Sequence, residues 1–127
     1  KLNHAHESVG YKITWKKKSV AYISDTEHYA NKLDQNVVDL ANNTDVFIYD
    51  SMYTDEEYHN PHFPKVGWGH STWQEAVKIA KAAKTKELVV FHHDPIHDDK
   101  ELDKIGRQVK KAYPKSIMAK EGLSITL

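Results

Sequence analysis

The apolar positions of this chain change period as it proceeds. Val9, Tyr11, Ile13 and Trp15 alternate with Gly10, Lys12, Thr14 and Lys16, the period of two of a strand with one face buried. Three lysines at 16–18 make a polar tip, and residues 19–24 return as a second strand, which closes a hairpin. Val37, Val38, Leu40 and Ala41 cluster in a helical stretch over residues 36–42. Residues 45–50 are almost continuously apolar, the mark of a strand covered on both faces. Pro61, Pro64, Gly67 and Gly69 break up the aromatic, polar stretch 51–69, where no regular helix is expected. Trp73, Ala76, Val77, Ala80 and Ala83 then recur at helical spacing over residues 72–84, and Ser71 with Gln74 reads as a capping box at the start. A buried strand over 88–91, a helix through Leu102, Ile105, Val109 and Ala112 capped by Asp98 or Asp99, and an edge strand over 122–127 complete the chain. A hairpin followed by strand–helix alternation predicts an α/β fold, a mixed β-sheet covered by helices.

With 127 residues the chain suits one compact domain. It carries 18 basic and 18 acidic side chains, a balance that argues against bulk electrostatic binding of nucleic acid or membrane. No apolar run approaches the roughly 20 residues of a membrane span, so no membrane partner is expected and the location read from the sequence is cytoplasmic. The absence of Cys removes disulfides, thiolate metal ligands and a thiol nucleophile. Charge is segregated: residues 25–65 hold nine of the acids and two lysines, a surface suited to a cation.

Any metal site must then use His and carboxylates, and there are nine His. Strand two runs into Asp25, strand three into Asp50, and the late strand into His92 and His93, while His70 precedes the start of the best-defined helix. Ligand sites of α/β sheets gather at such strand ends. Asp and neutral His suit a hard or borderline divalent ion such as Zn²⁺, Mn²⁺ or Fe²⁺. A His at a helix start can also donate to charge developing on an anionic substrate, and Ser71 and Thr72 beside it favour phosphate. The competing reading of each position alone is a turn cap or a surface His. His59 and His62 sit in the aromatic loop, His28 follows Asp25, and His97 begins a polar run before the last helix.

Five strings in order resemble the metallo-β-lactamase-fold hydrolases, in particular the ribonuclease Z and cyclic phosphodiesterase branch. They are Leu-Asn-His at 2–4, Val-Gly-Tyr-Lys-Ile at 9–13, Tyr-Ile-Ser-Asp-Thr at 22–26, Gly-His-Ser-Thr at 69–72, and Leu-Val-Val-Phe-His at 88–92 before Asp94 and Pro95. The resemblance implies that His4 binds one metal, Asp25 bridges two, His92 binds the other, and His70 contacts the scissile phosphate. It implies that Asp50 orients a ligand, with Ser71, Thr72 and His93 as further ligand-orienting or substrate contacts. Ser24 stands where the family has Gly, and Ala5-His6 where a Pro-Gly pair is common, which leaves His4 and His6 both open as the first ligand.

The family's His-x-His-x-Asp-His motif, which supplies most of the first metal's ligands and the water-activating Asp, has no counterpart here. The resemblance is therefore to the C-terminal half of the αββα sandwich. With a first residue of Lys1 rather than Met, the chain reads as a piece of something longer. The implied function is part of a phosphodiesterase-like hydrolase with two divalent metal ions in the complete domain, weakly or partly bound here, and nearly inactive alone. Its expected partners are the N-terminal half or a second copy through the exposed sheet face, where Val9, Tyr11, Ile13, Val46 and Ile48 are candidates, and a phosphodiester or other ester substrate. The alternative class is a non-catalytic binding or scaffold domain that retains the fold.

Overall fold

In the computed structural model, which describes residues 1–127, five strands lie side by side in chain order: β1 (Tyr11–Trp15), β2 (Lys18–Ile23), β3 (Val46–Asp50), β4 (Glu87–Phe91) and β5 (Ser116–Met118). Only β1 runs antiparallel to its neighbour; the other three pairings are parallel. Each parallel step is crossed by a helix: α1 (Gln35–Ala41), α3 (Trp73–Ala82) and α4 (Asp99–Ala112), with the single turn α2 (Asp55–Tyr58) between β3 and α3. Parallel crossovers are right-handed, so a sheet whose strands follow chain order carries all its crossover helices on one face.

That face holds the core. Ala21, Ile23, Phe47, Tyr49, Leu88 and Val90 alternate inward along β2, β3 and β4 and meet Val37, Ala76, Ile79, Ala80, Ile105 and Val109 from the helices in one buried cluster. Asp34 caps α1 and Asp98 caps α4, the second being one of the two residues the sequence offers.

The opposite face is apolar and largely open, and β1, whose alternation predicts one buried face, buries neither. Tyr11, Ile13 and Trp15 are 58%, 66% and 74% exposed, and register pairs Tyr11 with Tyr22 and Ile13 with Val20 on the same side. Val9 is exposed as expected, but Val46 is only 3% exposed and Ile48 half-buried. The reason is the C-terminal segment: Leu123, Ile125 and Leu127 line a shallow cavity of about 380 Å³ together with Val46, Ile48 and Val89.

Three expectations need correction. Residues 122–127 form no strand; their alternation faces the sheet rather than extending it, and the edge strand is Ser116–Met118, paired with Leu88–Val90. The stretch 51–69 is not wholly irregular, because Thr54 and Glu57 form a capping box that starts α2. The cap of α3 is Thr72, whose side chain accepts from the Glu75 N–H, not Ser71. Ser71 is buried and its hydroxyl is taken by His28 and Tyr49.

Candidate functional site

The parallel register sets the geometry. Ile23 is paired with Tyr49, and Asp50 with Phe91, so the residues that follow β2, end β3 and follow β4 stand in a row at one edge of the sheet. Those residues are Asp25, Asp50 and His92. Asp25 and His92 both leave their strands in the left-handed region, with φ of 55° and 63°. Non-glycine residues held there at strand ends carry local strain of the kind that clusters at functional sites.

Asp50 is the hub. It has no solvent exposure, and both oxygens are occupied. Oδ1 accepts from the backbone N–H groups of Met52 (3.3 Å) and Ser71 (3.4 Å). Oδ2 accepts from the Thr26 N–H (3.3 Å), from His70 Nδ1 (2.8 Å) and from His92 Nδ1 (3.3 Å). A carboxylate can only accept, so both imidazoles carry their proton on Nδ1 and turn Nε2 away from Asp50. Burial alone would raise the Asp50 carboxyl, but the hydrogen bonds from His70 and His92 outweigh it and hold it below the usual carboxylate value. The same hydrogen bond raises His92 above an ordinary imidazole, against the opposing effect of burial.

His4 reaches the row from the N-terminal segment, which folds back through Leu2 N–H to Ser8 O (3.0 Å) and the Ser8 hydroxyl to Asp25 O (2.9 Å). Its ring lies 5.7 Å from that of His70, and the His70 and His92 rings are 4.9 Å apart. A Cβ on Gly69, whose φ is +86°, would sit 2.6 Å from the His4 ring, so the ring occupies space only glycine leaves open. Two groups of possible ligand atoms result, each within 4.8 Å: His4, Asp25 and His70, and Asp50, His70 and His92. His70 belongs to both. The Ser24 hydroxyl donates to Asp25 Oδ2 at 2.8 Å and orients that carboxylate.

The structure thus brings His4, Asp25, Asp50, His70 and His92 to one edge. His6 is exposed and in neither group; its backbone N–H donates to His4 Nδ1 at 3.1 Å. Thr72 caps α3 and its hydroxyl donates to Asp55 Oδ1 (2.6 Å), so it faces the helix rather than the row. His93 turns away, with Nε2 3.1 Å from Ala119 O, and burial lowers its pKa. His28 is engaged by the Ser71 hydroxyl (3.0 Å) and lowered by burial, while His59 and His62 are exposed in the aromatic loop. His97 pairs with Glu57 at 2.6 Å. Neither Glu57 nor Glu27, both of which tie down loops around the row, stood out in the sequence. The Thr54-x-x-Glu57 spacing was the available signal for the first; the second has none.

A family profile described as a beta-lactamase superfamily domain matches residues 1–93. The chain belongs to that superfamily, and its curated relatives place it on the ribonuclease Z-like branch. It is 32% identical over 117 residues to a ribonuclease Z of Saccharolobus solfataricus, covering 92% of this chain and 36% of the relative. A ribonuclease Z of Brevibacillus brevis is 31% identical over 86 residues, which is 68% of this chain and 24% of the relative. The metallo-beta-lactamase fold protein YhfI of Bacillus subtilis superposes with a TM-score of 0.75 at 22% identity, over 97% of this chain and 46% of YhfI. The short form of human tRNase Z gives a TM-score of 0.64 at 20% identity, over 98% of this chain and 40% of that structure. These two likenesses confirm the α/β fold class. The chain spans about a third of the length of the S. solfataricus relative.

Proposed function

We propose that this chain is the C-terminal half of a metallo-β-lactamase-like domain and carries one side of a divalent-metal hydrolase centre acting on phosphodiesters. The observation that carries this reading is the convergence of His4, Asp25, His70 and His92 around buried Asp50 at the carboxyl edge of the parallel strands.

The donors suit the group the family implies. Imidazole nitrogen and carboxylate oxygen are the ligands of Zn²⁺, Mn²⁺ and Fe²⁺. The Gly69 turn leaves the His4 ring room that a Cβ would fill, and Asp50 leaves Nε2 of His92 free by engaging Nδ1. His4, Asp25 and His92 would hold metal. When bound, such ions supply a water of near-neutral pKa and a clamp on phosphoryl oxygens. Asp50 fixes the ring of His70 and leaves its Nε2 directed away from the carboxylate, on the side where a substrate oxygen would lie. Asp50 takes no part as a ligand, because both of its oxygens are already committed to protein donors.

This set of three ligands lacks the His-x-His-x-Asp-His contribution, so the chain alone binds metal weakly and is nearly silent in hydrolysis. The competing reading is a non-catalytic domain that keeps the fold. Isothermal titration calorimetry of the purified chain with Zn²⁺ or Mn²⁺, which reads weak binding at equilibrium, separates the two. A hydrolase half takes up metal, and His92→Ala and Asp25→Asn lower the uptake. A scaffold takes up none, or takes up metal unaffected by either substitution.

A further inference from the structure

Two residues beyond Asp25, Glu27 makes contacts to every segment that delivers a candidate ligand on the N-terminal side of the site. Its backbone N–H donates to Asn3 O at 2.8 Å, and Asn3 Nδ2 donates to Glu27 O at 2.9 Å, which fixes the residue preceding His4. Its carboxylate reaches the other way. Oε1 accepts from the Gly67 N–H at 2.6 Å and from the Tyr58 hydroxyl, and Oε2 accepts from the Gly69 N–H at 3.0 Å. The donors all come from neutral groups; no Lys, Arg or His pairs with this carboxylate. Both oxygens are engaged, which leaves Glu27 poorly placed to serve as a ligand itself.

Gly69 is where this matters. It lies between the His4 ring, which a Cβ there would strike, and His70, the next residue. The height of the Gly69 backbone therefore sets both the floor under His4 and the start of the segment carrying His70. Glu27 holds that backbone by the amide, while its own backbone holds Asn3 beside His4. We propose that Glu27 is a positioning residue that sets the mutual placement of His4, Asp25 and His70 by clamping the Gly67–Gly69 turn against the segment preceding His4.

The proposal rests on reading the row as a metal centre, and its test separates the two. The 127-residue chain and its Glu27→Gln variant are compared by far-UV circular dichroism, by amide exchange at Gly67 and Gly69, by nuclear Overhauser contacts between the His4 ring and the Gly69 α-protons, and by Co²⁺ titration. Glutamine keeps the size but offers one acceptor oxygen in place of two. A folded Glu27→Gln variant with weakened His4–Gly69 contacts and Co²⁺ affinity lowered about tenfold, the low end for groups that orient metal ligands, supports the proposal. Faster amide exchange with unchanged His4–Gly69 contacts and unchanged Co²⁺ affinity overturns it and leaves Glu27 a plain loop staple. If the parent chain takes up no Co²⁺, the metal reading falls, and the His4–Gly69 contacts, measured without metal, still decide the positioning role. If Glu27→Gln fails to fold, Tyr58→Phe removes one donor and keeps the carboxylate; unchanged His4–Gly69 contacts there overturn the proposal, and weakened ones support it.

Discussion

Nδ1 of His70 stands 2.8 Å from Oδ2 of Asp50, a carboxylate with no solvent exposure that also holds the N–H groups of Thr26, Met52 and Ser71. A buried acceptor with this many donors is structural before it is chemical. Replacing it strands several of them at once. Asp50→Ala is expected to cost about 3–5 kcal/mol, the range for leaving a buried charge partner uncompensated. Urea denaturation checks this, and a loss below about 1 kcal/mol, an ordinary single hydrogen bond, contradicts the hub role.

Gly69→Ala meets two obstacles, a backbone at φ +86° and the His4 ring in the space its Cβ needs. The backbone alone costs about 1 kcal/mol or more. The expected outcome is a modest drop in unfolding midpoint together with weaker metal uptake, because His4 must move. Gly67→Ala, with open space around the added Cβ and the same sign of φ, shares the backbone cost and spares His4. Equal metal uptake by the two variants would remove Gly69 from the site.

Acid stability has a traceable contributor in Glu57. Burial pushes its carboxyl up, but the Thr54 N–H, the His97 ring and the Thr54 hydroxyl together hold it below the usual value. A depressed folded-state pKa means the contribution is complete above the unfolded value of about 4.3 and is lost as pH falls through the folded one. Glu57→Gln is therefore expected to be less stable than the parent at neutral pH and to converge on it as pH falls through the depressed folded-state value. Parallel unfolding curves from pH 3 to pH 6 decide it; a constant gap across that range excludes a titrating role.

The open sheet face carries Tyr11, Ile13 and Trp15, each more than half exposed, beside Tyr22. A continuous apolar face of this kind marks an interface. Light scattering of the chain at micromolar concentration is expected to show more than a monomer, and Ile13→Lys with Trp15→Lys is expected to return it to one without loss of helical signal. A monomeric parent counts against the face as an interface.

Much of this was legible from residue pattern. The hairpin, the two buried strands and the helices over Trp73–Ala82 and Asp99–Ala112 follow from period: alternation marks the hairpin, and the other elements bury the apolar positions their patterns present. The residues at strand ends were visible for the same reason: once Asp25, Asp50 and His92 terminate parallel neighbours, register aligns them. What stayed hidden depends on tertiary choice. Leu123, Ile125 and Leu127 alternate as a strand does, yet the three-residue Ser116–Met118 reaches β4 first and the tail settles on the open face. Ser71 and Thr72 both suit a cap, and burial of Ser71 against His28 and Tyr49 decides between them. The tie between Glu27 and glycine amides 40 and 42 positions away has no local pattern at all.

On our proposal the chain holds one side of a hydrolase centre and needs the other side to act. Hydrolysis of bis(p-nitrophenyl) phosphate with Mn²⁺ or Zn²⁺ tests it most directly, run on the purified chain alone, on a full-length relative, and on the chain mixed with the N-terminal half of that relative. The expected outcome is little or no turnover by the chain alone, and a gain on mixing that His70→Ala abolishes. Turnover by the chain alone at the rate of the full-length relative would contradict it.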